Sequence, residues 1–210
     1  MSYIKKWRVE YGENNPFFIE DVISDELSYD VAKSVLSRAV SQGELKRYSQ
    51  GIYYFPRYTF IGESVPSYFD ILDKKYLSNQ GHAIGYISGN TLLNQVSLST
   101  QVPNVVEITT NMEKTRKRKI KLRNNEAILR KPNIEVTDEN VRYLQFLDIC
   151  KYASLNMLSR GKDKALDYYD KYQLEFSKLN EYIPYYSSNV LKKMRGSGIY
   201  DDIASRQRYF

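Results

Sequence analysis

Two β-prone runs, Leu45-Lys46-Arg47-Tyr48 and Ile52-Tyr53-Tyr54-Phe55-Pro56, flank a short Gln50-Gly51 turn. Such a pair reads as a β-hairpin. It follows helical patterning closely. Ile4, Trp7 and Tyr11 recur at the spacing of one helix face, and Gly12, Asn14, Asn15 and Pro16 break it. Phe18 to Ile23 reads as a short second helix. Ser28 is placed to cap a third, running to about Gln42, with Val31, Ala32, Val35, Leu36, Ala39 and Val40 as its apolar face and Gly43 as its left-handed stop. Three helices and then a hairpin within about 55 residues is the order of a winged helix-turn-helix. The helix from Ser28 is then the recognition helix and the hairpin is the wing.

Residues 57–66, with Gly62 and Pro66, read as a linker. Beyond it Phe69, Leu72 and Tyr76 mark a helix, Ala83–Ile87 a strand and Ser88–Gln95 a short helix. Val105–Thr109 reads as a strand, and Ile120–Arg123 with Ala127–Arg130 as a hairpin about Asn124-Asn125. Thr137 is placed to cap a helix with Asp138 and Glu139 in its first turn, where acids suit the helix dipole. Leu166, Tyr169, Tyr172, Phe176 and Leu179 mark one further helix, and Val190 to Met194 a last one ending at Gly196. The expected fold class is α+β: a winged helix-turn-helix over 1–58, a larger mixed α/β domain with C-terminal helices over 66–196, and a loosely ordered tail over 197–210.

Charge is focused. Residues 1–56 hold seven Lys/Arg and eight Asp/Glu, whereas 113–131 hold nine Lys/Arg against Glu113 and Glu126, a local charge of +7 in a chain of net +6. A focused basic patch favours a nucleic acid or acidic partner. The single Cys150 excludes a disulfide within the chain, and with the lone His82 it excludes a Cys/His zinc cluster. No window approaches the roughly 18 apolar residues of a membrane span, and the N-terminus has no signal-peptide apolar run. A cytoplasmic protein without cofactor or membrane partner is expected.

Several strings resemble the abortive-infection type IV antitoxin family (AbiEi-like proteins, including a related uncharacterised group). They are Gly43-Glu44-Leu45-Lys46-Arg47, Gly51-Ile52-Tyr53-Tyr54-Phe55-Pro56, Gly85-Tyr86-Ile87-Ser88-Gly89-Asn90-Thr91-Leu92, Ser99-Thr100-Gln101-Val102-Pro103 and Arg130-Lys131-Pro132. Tyr182-Ile183-Pro184, with Val190-Leu191 after it, is similar to the family's closing helices. The resemblance spans roughly residues 1–195 and rests on the order of the strings. It implies a wing-bearing DNA-binding domain joined to an antitoxin domain, autorepression of a toxin–antitoxin operon, and neutralisation of a nucleotidyltransferase-like toxin. Direct contact with that toxin is left open, because antitoxins of this type act without a stable complex.

The residues expected to meet double-stranded operator DNA are Ser28, Tyr29, Lys33, Ser34, Ser37 and Arg38 on the recognition helix, with Lys46, Arg47 and Tyr48 on the wing. The helix residues lie opposite its apolar face, and Ser28 sits where a helix N-terminus offers amides to phosphate. Equally, the helix face is open to a reading as a solvated or protein-binding surface, and the wing as a polar edge guarded by lysine. The basic run Lys114, Arg116, Lys117, Arg118, Lys119, Lys121 and Arg123 has Ile120 and Leu122 alternating at its end. It reads as a strand with one charged face, suited to DNA or RNA or simply to water. Two other readings therefore stand beside the repressor: a protein interaction module, and an RNA-binding protein using 114–123.

Catalysis is not expected. Gly85-Tyr86-Ile87-Ser88-Gly89 places its serine one position off a nucleophile elbow, His82 is the sole imidazole, and no phosphate-binding loop of the G-x-x-x-x-G-K-[ST] type occurs. Ser88 reads better as a helix cap, and Cys150 as core.

Overall fold

A computed structural model describes residues 2–60 and 62–206. The class is α+β, with helices at both ends and small sheets between them. The chain divides into two compact units, 1–75 with 122–125 and 76–121 with 126–210, in place of the expected 1–58 and 66–196.

The first unit opens with α1 (Tyr3–Tyr11) and β1 (Pro16–Phe18), then a 3-10 turn over Ile19–Val22 and α2 (Tyr29–Ser41). The expected second helix is thus shorter. Phe18 is extended, and its amide donates to Asp21 Oδ2 at 2.8 Å, which holds the turn closed. The strands β2 (Lys46–Ser49) and β3 (Ile52–Tyr54) complete an antiparallel sheet of order β1-β3-β2. Ala32, Leu36 and Ala39 are buried on α2, while Val31, expected on the same face, is half exposed. Gly43 follows the helix at φ +74°, a conformation that L side chains rarely adopt. Phe17 is the centre of the core: its ring stacks on Tyr11 at 4.6 Å and on Phe55 at 5.7 Å. Around it pack Trp7, Leu27, Leu36 and Leu45.

The expected linker is a second hairpin, β4 (Arg57–Thr59) paired with β5 (Gly62–Ser64). Side chains close it, Thr59 Oγ1 donating to Gly62 O and Ser64 Oγ to Arg57 O. One of the linker positions, residue 61, lies outside the described residues. α3 (Tyr68–Leu72) follows, capped by Ser67 and Asp70 in a reciprocal capping box.

A π-helical turn (Asp73–Leu77) follows in the chain, and the second unit, from Tyr76, then holds β6 (Ser78–Asn79), β7 (His82–Ala83), β8 (Gly85–Ile87) and α4 (Gly89–Gln95). β9 (Val106–Thr110), β10 (Lys117–Leu122) and β11 (Asn125–Arg130) form with β8 a four-stranded sheet of order β10-β11-β9-β8. β8 is antiparallel to β9, and β11 is parallel to it. The β10–β11 turn falls at Arg123-Asn124, one residue earlier than expected, with Arg123 at φ +54°.

α5 (Val141–Tyr152) is buried without interruption from Tyr143 to Cys150, which marks it as the helix around which the unit is packed. It starts later than expected. Asn140 holds the cap position, and its Oδ1 accepts from Thr137 N. The following helices are α6 (Leu155–Arg160), α7 (Lys162–Lys171), α8 (Phe176–Tyr182), α9 (Ser188–Gly196) and α10 (Ile199–Arg206). What reads in sequence as one helix through Leu166 and Leu179 is two, because Gln173 takes φ +49° and ends the first. The expected loose tail is also corrected over 199–206. Ile199 and Ile203, four residues apart, are fully buried on α10, and Asp202 pairs with Lys162 at 2.9 Å. Residues 207–210 of that tail lie outside the described residues. No described helix is long and apolar enough to cross a membrane.

Candidate nucleic-acid interface

In the first unit α2 begins after Ser28, whose hydroxyl makes no cap bond, and exposes Tyr29, Lys33, Ser34, Ser37 and Arg38. Helical spacing puts Ser34, Ser37 and Arg38 on the side opposite Ala32, Leu36 and Ala39, with Tyr29 and Lys33 on its flank. Lys33, Ser34, Ser37 and Arg38 line one open concavity. Asp30 and Ser41 share it, and sequence reasoning did not single them out. Ser34 Oγ donates back to Asp30 O at 2.9 Å, so that hydroxyl is partly committed to its own helix.

The β2–β3 hairpin is less free. Lys46 pairs with Glu63 at 3.2 Å, and Glu63 Oε1 also accepts from the Tyr54 hydroxyl. Arg47 stays exposed. Tyr48, expected to face DNA, is buried. The register shifts between Arg47 and Ser49, so Tyr48 is the extra residue of a bulge and its side chain leaves the simple alternation. Arg123 covers it, its guanidinium 4.0 Å from the ring centroid and its Nε donating to Tyr48 O at 2.8 Å.

The basic run is partly neutralised too. Arg123 is spent on Tyr48, Arg118 binds Glu113 at 2.7 Å and Lys119 binds Glu126 at 2.6 Å. Lys114, Arg116, Lys117 and Lys121 are exposed and carry no ion pair among the described residues. Burial pushes the Glu113 carboxyl up, but Thr115, through hydroxyl and amide, and Arg118 outweigh it and hold it below its ordinary value. A depressed carboxylate contributes stability above its unfolded pKa and loses it as pH falls through the folded one. Glu113→Gln should therefore melt lower than the parent at neutral pH, and the gap should close on acidification below the usual glutamate range. Melting curves from neutral to acidic pH check this; a gap that does not change with pH would dismiss the ion pair.

The second unit contains a cavity of about 400 Å³ among β9, β11, α5 and the loop before α9. Asp148, 1% exposed, accepts at Oδ2 from the Tyr86 hydroxyl at 3.2 Å. Its Oδ1 has no hydrogen-bond partner and stands 3.5 Å from the Lys151 ammonium. Burial raises the Asp148 carboxyl above its ordinary value, against the pull of Lys151, the Tyr86 hydroxyl and Arg130. Arg130 donates twice to the one oxygen Glu107 Oε2, from Nη2 at 2.6 Å and from Nε at 3.1 Å. Glu107 also accepts from Asn90 N and fits only because residue 89 is glycine, where a Cβ would lie 2.4 Å from its carboxyl carbon. Sequence reasoning missed this cluster, because its members come from segments tens of residues apart.

The groups considered for catalysis lie apart chemically. Ser88 Oγ is buried without a hydrogen-bond partner, while His82 Nδ1 is 2.7 Å from Asp138 on the surface. The amide of Ala83 and then His82 hold the Asp138 carboxyl below its ordinary value. Burial pushes the Cys150 thiol up to about 12, as befits a core residue.

Neither the curated proteins nor the solved structures include a match to this chain. Residues 10–146, well over half the chain and spanning α2, the β2–β3 hairpin and the basic strand, match one family profile, and the chain belongs to that family, described as a family of unknown function (DUF6088).

Proposed function

We propose that the chain is a DNA-binding antitoxin that represses its own operon in the cytoplasm, and that it is not an enzyme. The observation that carries the reading is the exposed face of α2, where Lys33, Ser34, Ser37 and Arg38 gather in one concavity and take no part in the core. The order α1, 3-10 turn, α2 and sheet β1-β3-β2 supports a winged helix-turn-helix with α2 as recognition helix and β2–β3 as wing. The resemblance to type IV antitoxins supplies the biological setting, with a nucleotidyltransferase-like toxin as functional partner. Gel shifts of the full chain on its own upstream DNA test it, with an unrelated duplex of equal length as reference. Preference for the upstream fragment is the expected result; equal weak binding to both overturns the repressor.

A second reading, sequence-independent grip on RNA or DNA by the basic strand, is favoured by the four unpaired cations of 114–121. Neutralising Lys114, Lys117 and Lys121 together should weaken all sequences alike. It should also flatten the salt dependence by up to about 0.9 in log–log slope per lost phosphate contact. An unchanged slope assigns the run to water or to a protein partner.

A further inference from the structure

The cavity in the second unit has the size of a small-ligand site. Its lining holds more cations than acids: Arg116, Arg130, Lys131 and Lys151 against Asp148. Arg130 is committed to Glu107 and Lys151 faces Asp148. Arg116 and Lys131 are exposed and carry no ion pair among the described residues, so two cations at this site are available to an anion. A guanidinium and an ammonium together suit phosphate, the arginine by its planar fork and the lysine as a point charge.

Two further features ask for more than inorganic phosphate. Tyr152 and Tyr185 belong to the lining; Lys151 and Arg130 already stand over the Tyr152 ring, at 5.0 and 5.3 Å, so the half-exposed Tyr185 is the surface on which a flat aromatic group stacks. At the floor, Asp148 Oδ1 is buried and receives no hydrogen bond. Its nearest partner is the Lys151 ammonium at 3.5 Å, an ion pair without a well-formed hydrogen bond, and a ligand amino or ring N–H would supply one. Anion, flat ring and N–H donor occur together in one class of metabolite.

We propose that this cavity binds a nucleotide, its phosphate held by Arg116 and Lys131 and its base set against Tyr185 with an N–H directed to Asp148. The site takes nothing from α2 or the wing and shares only Arg116 with the basic run, so it stands or falls apart from the operator reading.

Titration calorimetry of the full chain with AMP, GMP, CMP, UMP and inorganic phosphate tests it. At least one nucleotide should bind saturably at one per chain, about tenfold or more tighter than phosphate. Combined Arg116→Ala and Lys131→Ala, both surface changes, should weaken that nucleotide by about tenfold or more with an unaltered circular dichroism spectrum. Asp148→Asn should change the ranking of the four bases. Failure of all four nucleotides to saturate overturns the proposal. So does phosphate binding as tightly as they do, or an intact affinity in the folded double variant. Binding of a short single-stranded RNA when every mononucleotide fails overturns it as well, and returns the anion attraction to the basic strand.

Discussion

Phe17→Ala should lower the stability of the first unit by about 3–5 kcal/mol, the usual cost of deleting a buried aromatic ring. Phe17 has no exposed surface and lies between Tyr11 and Phe55, with Tyr53 tilted at 6.1 Å. These neighbours sit on α1, the end of β3 and its sheet, so no single element can collapse to refill the space. A whole domain is stable by only about 5–15 kcal/mol, so the loss is a large fraction of what holds this unit folded. The chain has one tryptophan, Trp7, buried in the same cluster, so its fluorescence reports this unit. Urea unfolding followed at Trp7 should show a much lower midpoint. A midpoint like the parent's would mean that the ring is not part of a common core, and the first unit would need redrawing.

Lys33→Ala should cost about 1–3 kcal/mol on the operator and little on random DNA, if α2 reads bases. Lys33 is exposed on the first turns of α2, within reach of a guanine O6 or N7 when the helix lies in the major groove. Tyr29, half exposed one turn earlier, is suited to a phosphate or a thymine methyl. The concavity also holds Asp30, an acceptor suited to the cytosine amine. Arg38→Ala and Arg47→Ala should instead weaken operator and random DNA about equally, because such residues hold the backbone. The core is untouched in all of these. Operator affinity that survives both Lys33→Ala and Tyr29→Ala in folded protein would remove α2 from DNA recognition.

Local pattern carried the first unit far. The helix from Ser28, its stop at Gly43 and the strands about Gln50-Gly51 are all where spacing and turn chemistry put them. The same holds for β9 and, to within a residue, for the β10–β11 turn. Misreadings cluster where a local rule meets a tertiary constraint. Tyr48 reads as a wing residue because Lys46 and Arg47 precede it, yet a bulge turns it inward beneath Arg123, a residue 75 positions away. Arg118 and Lys119 read as a free charge run until Glu113 and Glu126 are seen beside them. Gln173 breaks a helix that periodicity alone would continue.

The sequence by itself determined the α+β class, the span of α2 with its buried Ala32, Leu36 and Ala39, and the absence of a disulfide within the chain or a Cys/His zinc cluster of its own residues. Those follow from periodicity, turn residues and composition, which act over a few residues or need no structure at all. Only the tertiary structure decided which cations are free, that residues 57–64 pair as a hairpin, that Ile199 and Ile203 anchor a helix, and that Asp148, Lys151, Arg116 and Lys131 meet around one cavity. The reason is that burial and charge pairing depend on contacts between segments far apart in the chain, and neither period nor propensity encodes which distant partner arrives.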